Sequence, residues 1–275
     1  MRKQKGLKRR VVLSFLCLLF LCPFLHLISE FNTKKEALEL YESLNYREIE
    51  TVEAPTIEPE EVEIQGEISE EIVIDPYQVP ELSLDFLELQ ETVNEDIYAW
   101  IYIPNTNVDY PILQHPTDDS YYLKYNLDGS YGYPGAIYTE SLNTMDFTDP
   151  NTVIYGHNMN DGSMFNTIKN FADAEFFEEN DFIYIYTKNT TYIYEVFAAY
   201  EFSDMHLLMS YYLENEGIYE SYLNSVLETR AIGANVKSEM ELSKDDRIIT
   251  LSTCVSSSNK RFLVQAVLVE ERMVD

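Results

Sequence analysis

The sequence is poor in cysteine, histidine and positive charge. Of 275 residues only three are cysteine and four histidine. Cys17 and Cys22 fall inside an uncharged apolar run, which leaves Cys254 without an intramolecular disulfide partner in the rest of the chain. A lone thiol outside such a run is either a small buried hydrophobe or a reactive group. Nineteen Lys and Arg face 48 Asp and Glu, a net charge of −29. A chain that acidic repels phosphate backbones, which excludes nucleic acid as a partner. No C-x-x-C or H-E-x-x-H spacing is present, and neither is G-x-x-x-x-G-K-[ST] or G-x-G-x-x-G. No metal or nucleotide cofactor is therefore expected.

What is present suffices for a sizeable core: 45% of residues are hydrophobic and 13% aromatic. Six basic residues lie in a tail, 1–10, ahead of an 18-residue run without a charge, 11–28. That length is close to the ~20 residues of a membrane-spanning helix, and a basic flank keeps the N-terminus in the cytoplasm. The run is longer than the core of a cleaved signal peptide, and Ser29-Glu30-Phe31 is a poor cleavage site. The expectation is a single-pass signal anchor in the cell membrane with the following domain extracellular. Segment 29–81 reads as a short helix near the membrane, Lys34 to Tyr46, then an acidic, proline-punctuated spacer. The globular domain is expected over 82–275.

Within it, apolar spacing predicts a helix over Leu84 to Val93 capped by Ser83. Strands are predicted at Ala99 to Ile103, Val108 to Leu113, Gly135 to Thr139 and Thr152 to Tyr155, and a helix at Met164 to Phe171. The segments Phe182 to Thr187 and Thr190 to Phe202 read as a hairpin around Lys188-Asn189. Met209 to Arg230 has helical spacing broken near Gly217. The last two strands are Ile248 to Cys254 and Phe262 to Val269. Many short strands, few helices and no βαβ alternation predict a closed or nearly closed β-barrel with inserted helices.

Cysteine-based acyl transfer needs a thiolate, a proton donor for the leaving amine, and a cationic or N–H-lined site for the oxyanion. Cys254 ends one strand and Arg261 opens the next, while His157 follows a strand and a glycine in V-I-Y-G-H-N. Arginine stays protonated, so its role in such a site is electrostatic. His115 and His206 read as solvated loop histidines. Three bland alternatives stand beside this reading: a buried thiol, a surface imidazole and a solvated guanidinium.

Thr250-Leu251-Ser252-Thr253-Cys254 resembles the TLxTC motif of sortases, the surface transpeptidases of Gram-positive bacteria. His157, Cys254 and Arg261 stand in that family's order. The stretch W-I-Y-I-P-N-T-N-V-D-Y-P-I-L-Q with D-S-Y-Y-L, and the helical insert before the cysteine strand, resemble class B. The resemblance implies an eight-stranded sortase-type β-barrel with an N-terminal helix and a long helix before the cysteine strand. It implies Cys254 as nucleophile, His157 as general acid and base, Arg261 as oxyanion stabiliser, and a groove lined by Leu123, Asp119, Ser252 and Thr253. Asp119 stands where class B has an asparagine, and 255–260 holds no carboxylate for a triad. The implied partners are sorting-signal-bearing surface proteins and an amine acceptor, from a cell-wall (peptidoglycan) precursor or a pilin lysine. The alternative from another class is a diverged surface binding module on the same barrel.

Overall fold

The computed structural model describes residues 2–44, 75–82, 84–255 and 259–274. The described residues form nine strands, and eight of them close into a barrel. The strands are β1 (Ile97–Tyr102), β2 (Asp109–Leu113), β3 (Ile137–Thr139), β4 (Asn151–Tyr155), β5 (Phe182–Thr187), β6 (Thr190–Ser203), β7 (Asn235–Val236), β8 (Ile248–Cys254) and β9 (Lys260–Met273). Their order is β5-β1-β2-β3-β4-β8-β9-β6, and pairing of β5 with β6 closes the ring. The short β7 adds to the β6 edge outside it. Closure leaves no long edge unpaired, which suits strands this rich in Tyr, Ile and Val. The expected eight-stranded barrel with inserted helices is what the chain forms.

Side chains alternate across each strand, so every strand serves two environments. Along β9, Phe262, Val264 and Ala266 belong to the main core, whereas Leu263 and Val267 pack in a second cluster. That second cluster is covered by α5 (Glu216–Leu227), whose Tyr219, Tyr222, Leu223 and Val226 are buried. Asn215 caps α5 by accepting the Ile218 N–H at 3.1 Å. Under the helix, Gln265 Nε2 donates to Tyr222 Oη at 2.6 Å and to Thr250 Oγ1 at 2.8 Å. Buried polar groups thus tie the insert to the cysteine strand.

Other helices are short: α2 (Phe86–Thr92), α3 (Ala174–Glu179) and α4 (Leu207–Ser210). The expected cap Ser83 gives way to Asp85, which accepts from the N–H groups of Leu87 and Glu88. The stretch after Met164 forms a 3-10 helix, Asn166–Ala172. Ahead of α2, Asp75 binds the Arg272 guanidinium of β9 through both oxygens at 2.6 and 2.8 Å. The hydroxyls of Tyr184 and Tyr186 donate to the carbonyls of Tyr77 and Pro80. The body of the expected spacer, 45–74, lies outside the described residues.

The N-terminal segment requires a correction. α1 (Arg2–Ser43) is one 42-residue helix that runs through Pro23. Among the described residues, no helix is long and apolar enough to cross a membrane, which overturns the expected single-pass anchor at 11–28 and the cell-membrane localisation built on it. The apolar run ends at Ile28. Beyond it the helix turns polar and lies against the barrel, with Ala37, Tyr41 and Leu44 buried.

Candidate active site

Three adjacent strands bring the site together. β4 runs parallel to β8 with Val153 opposite Thr250 and Tyr155 opposite Ser252. β9 runs antiparallel to β8 with Gln265 opposite Thr250, Leu263 opposite Ser252, and Arg261 opposite Cys254. Period-2 alternation therefore makes aligned rows on the outer barrel face: Val153-Thr250-Gln265, then Tyr155-Ser252-Leu263. The next row carries Cys254 and Arg261, and on the β4 side the chain has reached His157. All three open on one cavity of about 280 Å3.

Three hydrogen bonds fix the histidine turn against the cysteine strand. Gly156 N–H donates to the Ser252 carbonyl at 3.1 Å, and Thr253 Oγ1 donates to the Gly156 carbonyl at 2.7 Å. Asn158 Nδ2 donates to the carbonyl of Cys254 itself, also at 2.7 Å, and its own Oδ1 accepts from Asn166 Nδ2 at 2.7 Å. Only glycine fits at 156, because a Cβ there would lie 2.5 Å from Ile137 Cδ1 and 2.7 Å from the Phe165 ring.

The imidazole of His157 is held from the opposite side. Its Nε2 lies 2.8 Å from the Leu123 carbonyl, which can only accept, so Nε2 carries a proton and Nδ1 is left to exchange one. Leu123 sits in a single 3-10 turn, Tyr121–Leu123. The ring of Tyr133 packs edge-on against His157, with centroids 5.2 Å apart. Gly135 passes close behind at φ +71°, where a Cβ would lie 2.7 Å from the Tyr122 carbonyl and 3.0 Å from His157 Cδ2.

Leu123, Asp119, Ser252 and Thr253 all line the cavity. The side chain of Asp119 accepts from the Ser141 N–H at 2.7 Å, and the Thr253 hydroxyl is directed to Gly156. Both thus carry a structural bond in addition to their place in the wall. His206, read from the sequence as a solvated loop histidine, instead lines the same cavity and pairs with Glu140, which the sequence reading did not single out. His206 Nδ1 accepts from the Met209 N–H, so its Nε2–H donates to Glu140 at 2.6 Å. Burial pushes the Glu140 carboxyl above the usual carboxylate range, against the opposing pull of His206. Burial likewise raises the hydroxyls of Tyr138 and Tyr155 in the same wall. His115 stacks on Tyr121 and accepts two backbone N–H groups, which keeps it away from the site. Among the described residues no group of three or more His, Cys, Asp or Glu is arranged to hold a metal ion.

A thiol flanked across two strand pairings by an imidazole and a guanidinium is a site for acyl transfer. A sortase-domain family profile matches residues 101–269, which spans every one of these groups. The chain belongs to the sortase family. It is 37% identical over 192 residues to sortase B of Listeria monocytogenes, covering 67% of this chain and 74% of that protein. A Staphylococcus aureus sortase B–substrate complex superposes with a TM-score of 0.59 at 28% identity, covering 67% of this chain and 84% of the other. Sortase B from Bacillus anthracis in complex with AAEK1 gives 0.57 at 32% identity, with the same two coverages. This sortase is thus a class B transpeptidase by sequence and by barrel.

Proposed function

We propose that this sortase cleaves a C-terminal sorting signal after its Thr through a thioester on Cys254, and then passes the acyl group to an amine of a cell-wall precursor. The observation that carries the reading is the strand register, which sets Cys254 directly against Arg261 and within one cavity with His157. His157 Nδ1 takes the thiol proton, and the thiolate attacks the Thr carbonyl carbon. Arg261 faces the oxygen on which negative charge develops. Nδ1–H then protonates the leaving amine as the C–N bond breaks, which leaves the thioester. Leu123, at the mouth of the cavity, offers an apolar edge to the sorting peptide, and Asp119, Ser252 and Thr253 form polar wall beside it.

The test uses a panel of pentapeptide sorting signals with an amine acceptor. Wild type should yield the ligated product, and Cys254→Ala should yield none. Ligation by Cys254→Ala at the wild-type rate would sink the proposal. With a second protein as amine donor, covalent ladders that vanish in Cys254→Ala would instead identify a pilin lysine as the acceptor.

A further inference from the structure

The thiol cavity has two lips, and one short segment of chain reaches both. One lip is the stretch 119–123, which carries Leu123 and holds His157 through the Leu123 carbonyl. The other is 204–207, where the chain leaves β6 and enters α4, with Met205, His206 and Leu207 in the cavity wall. Glu140 and Ser141, just past β3, bind one lip each. The Ser141 N–H donates to Asp119 at 2.7 Å, and the Glu140 carboxylate accepts from His206 Nε2–H at 2.6 Å.

The segment 139–143 is a fixed post on the barrel. Gln114 Nε2, just past β2, donates to Thr139 Oγ1 at 3.1 Å and to the carbonyls of Glu140 and Asn143 at 3.0 and 2.9 Å. Asn143 is tied to β4 in turn, since its Nδ2 donates to the Asn151 carbonyl and its Oδ1 accepts from the Val153 N–H, both at 2.9 Å. The Glu140 side chain is only 14% exposed. The 204–210 lip has much less support. Met209 N–H binds His206 Nδ1 at 3.3 Å and Ser210 Oγ binds the His206 carbonyl at 2.7 Å, so these bonds close within the segment. A helix of four residues adds little stiffness of its own. Leu207 is buried in the second cluster, but Met205 and Met209 stand open to solvent. Among the described residues, the hydrogen bond that carries this lip across to the post is the one from His206 to Glu140.

We propose that the Glu140–His206 pair sets the width of the groove: it is a positioning pair that holds the 204–207 lip at the distance from Leu123 that the donor peptide spans. This rests on the sorting-signal reading above and adds what fits this chain's groove to the peptide. The pair moves no proton in the reaction and acts through Met205 and Leu207 beside it. Without it the lip samples positions that do not grip the peptide, and binding weakens by the fraction of time spent in them. The reacting groups are held by other bonds, those of Gly156, Asn158 and Thr253, none of which passes through residue 140 or 206. The loss therefore falls on KM rather than on kcat.

Two substitutions separate the pair from other roles of its members. His206→Asn keeps a favoured cap for α4 but is too short to reach Glu140. Because His206 Nδ1 accepts a backbone N–H, the contact is a hydrogen bond that an uncharged acceptor can also take, so Glu140→Gln preserves it.

The experiment follows cleavage of a pentapeptide from the panel by the full chain, its single variants His206→Asn, Glu140→Ala and Glu140→Gln, and the His206→Asn, Glu140→Ala double variant. His206→Asn and Glu140→Ala should each raise the peptide KM about tenfold with kcat within about twofold, and the double variant should be no worse than either. Glu140→Gln should recover most of the wild-type KM. Iodoacetamide, too small to need the groove, should alkylate Cys254 at the wild-type rate throughout. An unmoved KM in both disrupting variants, or effects that add in the double variant, overturns the role of the pair while the cleavage reading stands. Slower alkylation of Cys254 in those variants also overturns it, because the defect would then lie at the thiol. Wild type that cleaves no peptide of the panel overturns the sorting-signal reading and this role with it.

Discussion

Asn158 is the residue whose side chain joins the two halves of the site, because it follows the histidine and binds the carbonyl of the cysteine at 2.7 Å. Replacing it with alanine leaves the thiol, imidazole and guanidinium in place but frees the distance between them. Misplacement by about 1 Å can cost roughly 100-fold in rate. Asn158→Ala is therefore expected to lower kcat by a factor of that order with little change in KM, measured with one peptide and one amine. Equal loss in kcat/KM through KM alone would assign Asn158 to substrate binding. Gly135 makes a harsher test, since at φ +71° any Cβ is strained and this one meets the Tyr122 carbonyl. Gly135→Ala should cost about 1–3 kcal/mol of stability by chemical denaturation and lower turnover by displacing His157. Arg261→Lys keeps the charge and removes the planar fork. Turnover should fall roughly 10²-fold with the melting temperature unchanged, and wild-type turnover in that variant would refute the oxyanion role.

At the scale of the element, strands were easier to read than helices. The hairpin around Lys188-Asn189 and the Cys254 strand announce themselves because β-branched and aromatic residues alternate with the pleat. Their register also explains why residues 97 positions apart, His157 and Cys254, meet. No local pattern encodes that meeting: β4 and β8 pair in parallel across a long intervening segment, whose helix α5 packs over Val153 and Ile248 of the two strands. The same holds for Glu140 and His206, each unremarkable alone and joined by the fold. Ser83, which lies outside the described residues, was read as the cap where Asp85 serves, since both residue types are favoured N-caps and composition does not fix which position begins the helix. The role of α1 was hidden in a different way, because its Lys34 and Tyr41 find partners more than 90 residues away. That docking carries its own pH signature. Burial raises the Asp161 carboxyl, but hydrogen bonds from Lys34 and from Ser163 outweigh it and hold the group at about 2. A folded value below the ordinary 3.8 gives stability that is present above 3.8 and is lost as pH falls to about 2. The pair is about one-third exposed, so solvent screening keeps its contribution below about 1 kcal/mol. Asp161→Asn should accordingly lower the melting temperature slightly at pH 6, and the difference should vanish near pH 2. A difference that persists in acid would mean the ion pair is not its source.

For the molecule as a whole, charge sets an opposition that no single residue shows. The chain carries −29, yet its thiol stands opposite a guanidinium and shares a cavity with an imidazole. In the proposed mechanism the Arg261 guanidinium acts on the oxyanion at short range, where salt screens little inside a walled cavity. The surrounding excess of carboxylates acts over a Debye length instead, on whatever approaches from solution. The two ranges separate in an ionic-strength series. Between about 0.01 M and 0.15 M salt the screening length falls from about 30 to about 8 Å. An amine acceptor with an added lysine should lose several-fold in kcat/KM over that interval, because its encounter is steered by the whole surface. An acceptor of the same length with its added residue neutral should lose much less, and kcat at saturation should hold for both. If kcat itself fell with salt, the field of the whole chain would reach the thioester, and the cavity walls would not isolate the chemistry from it.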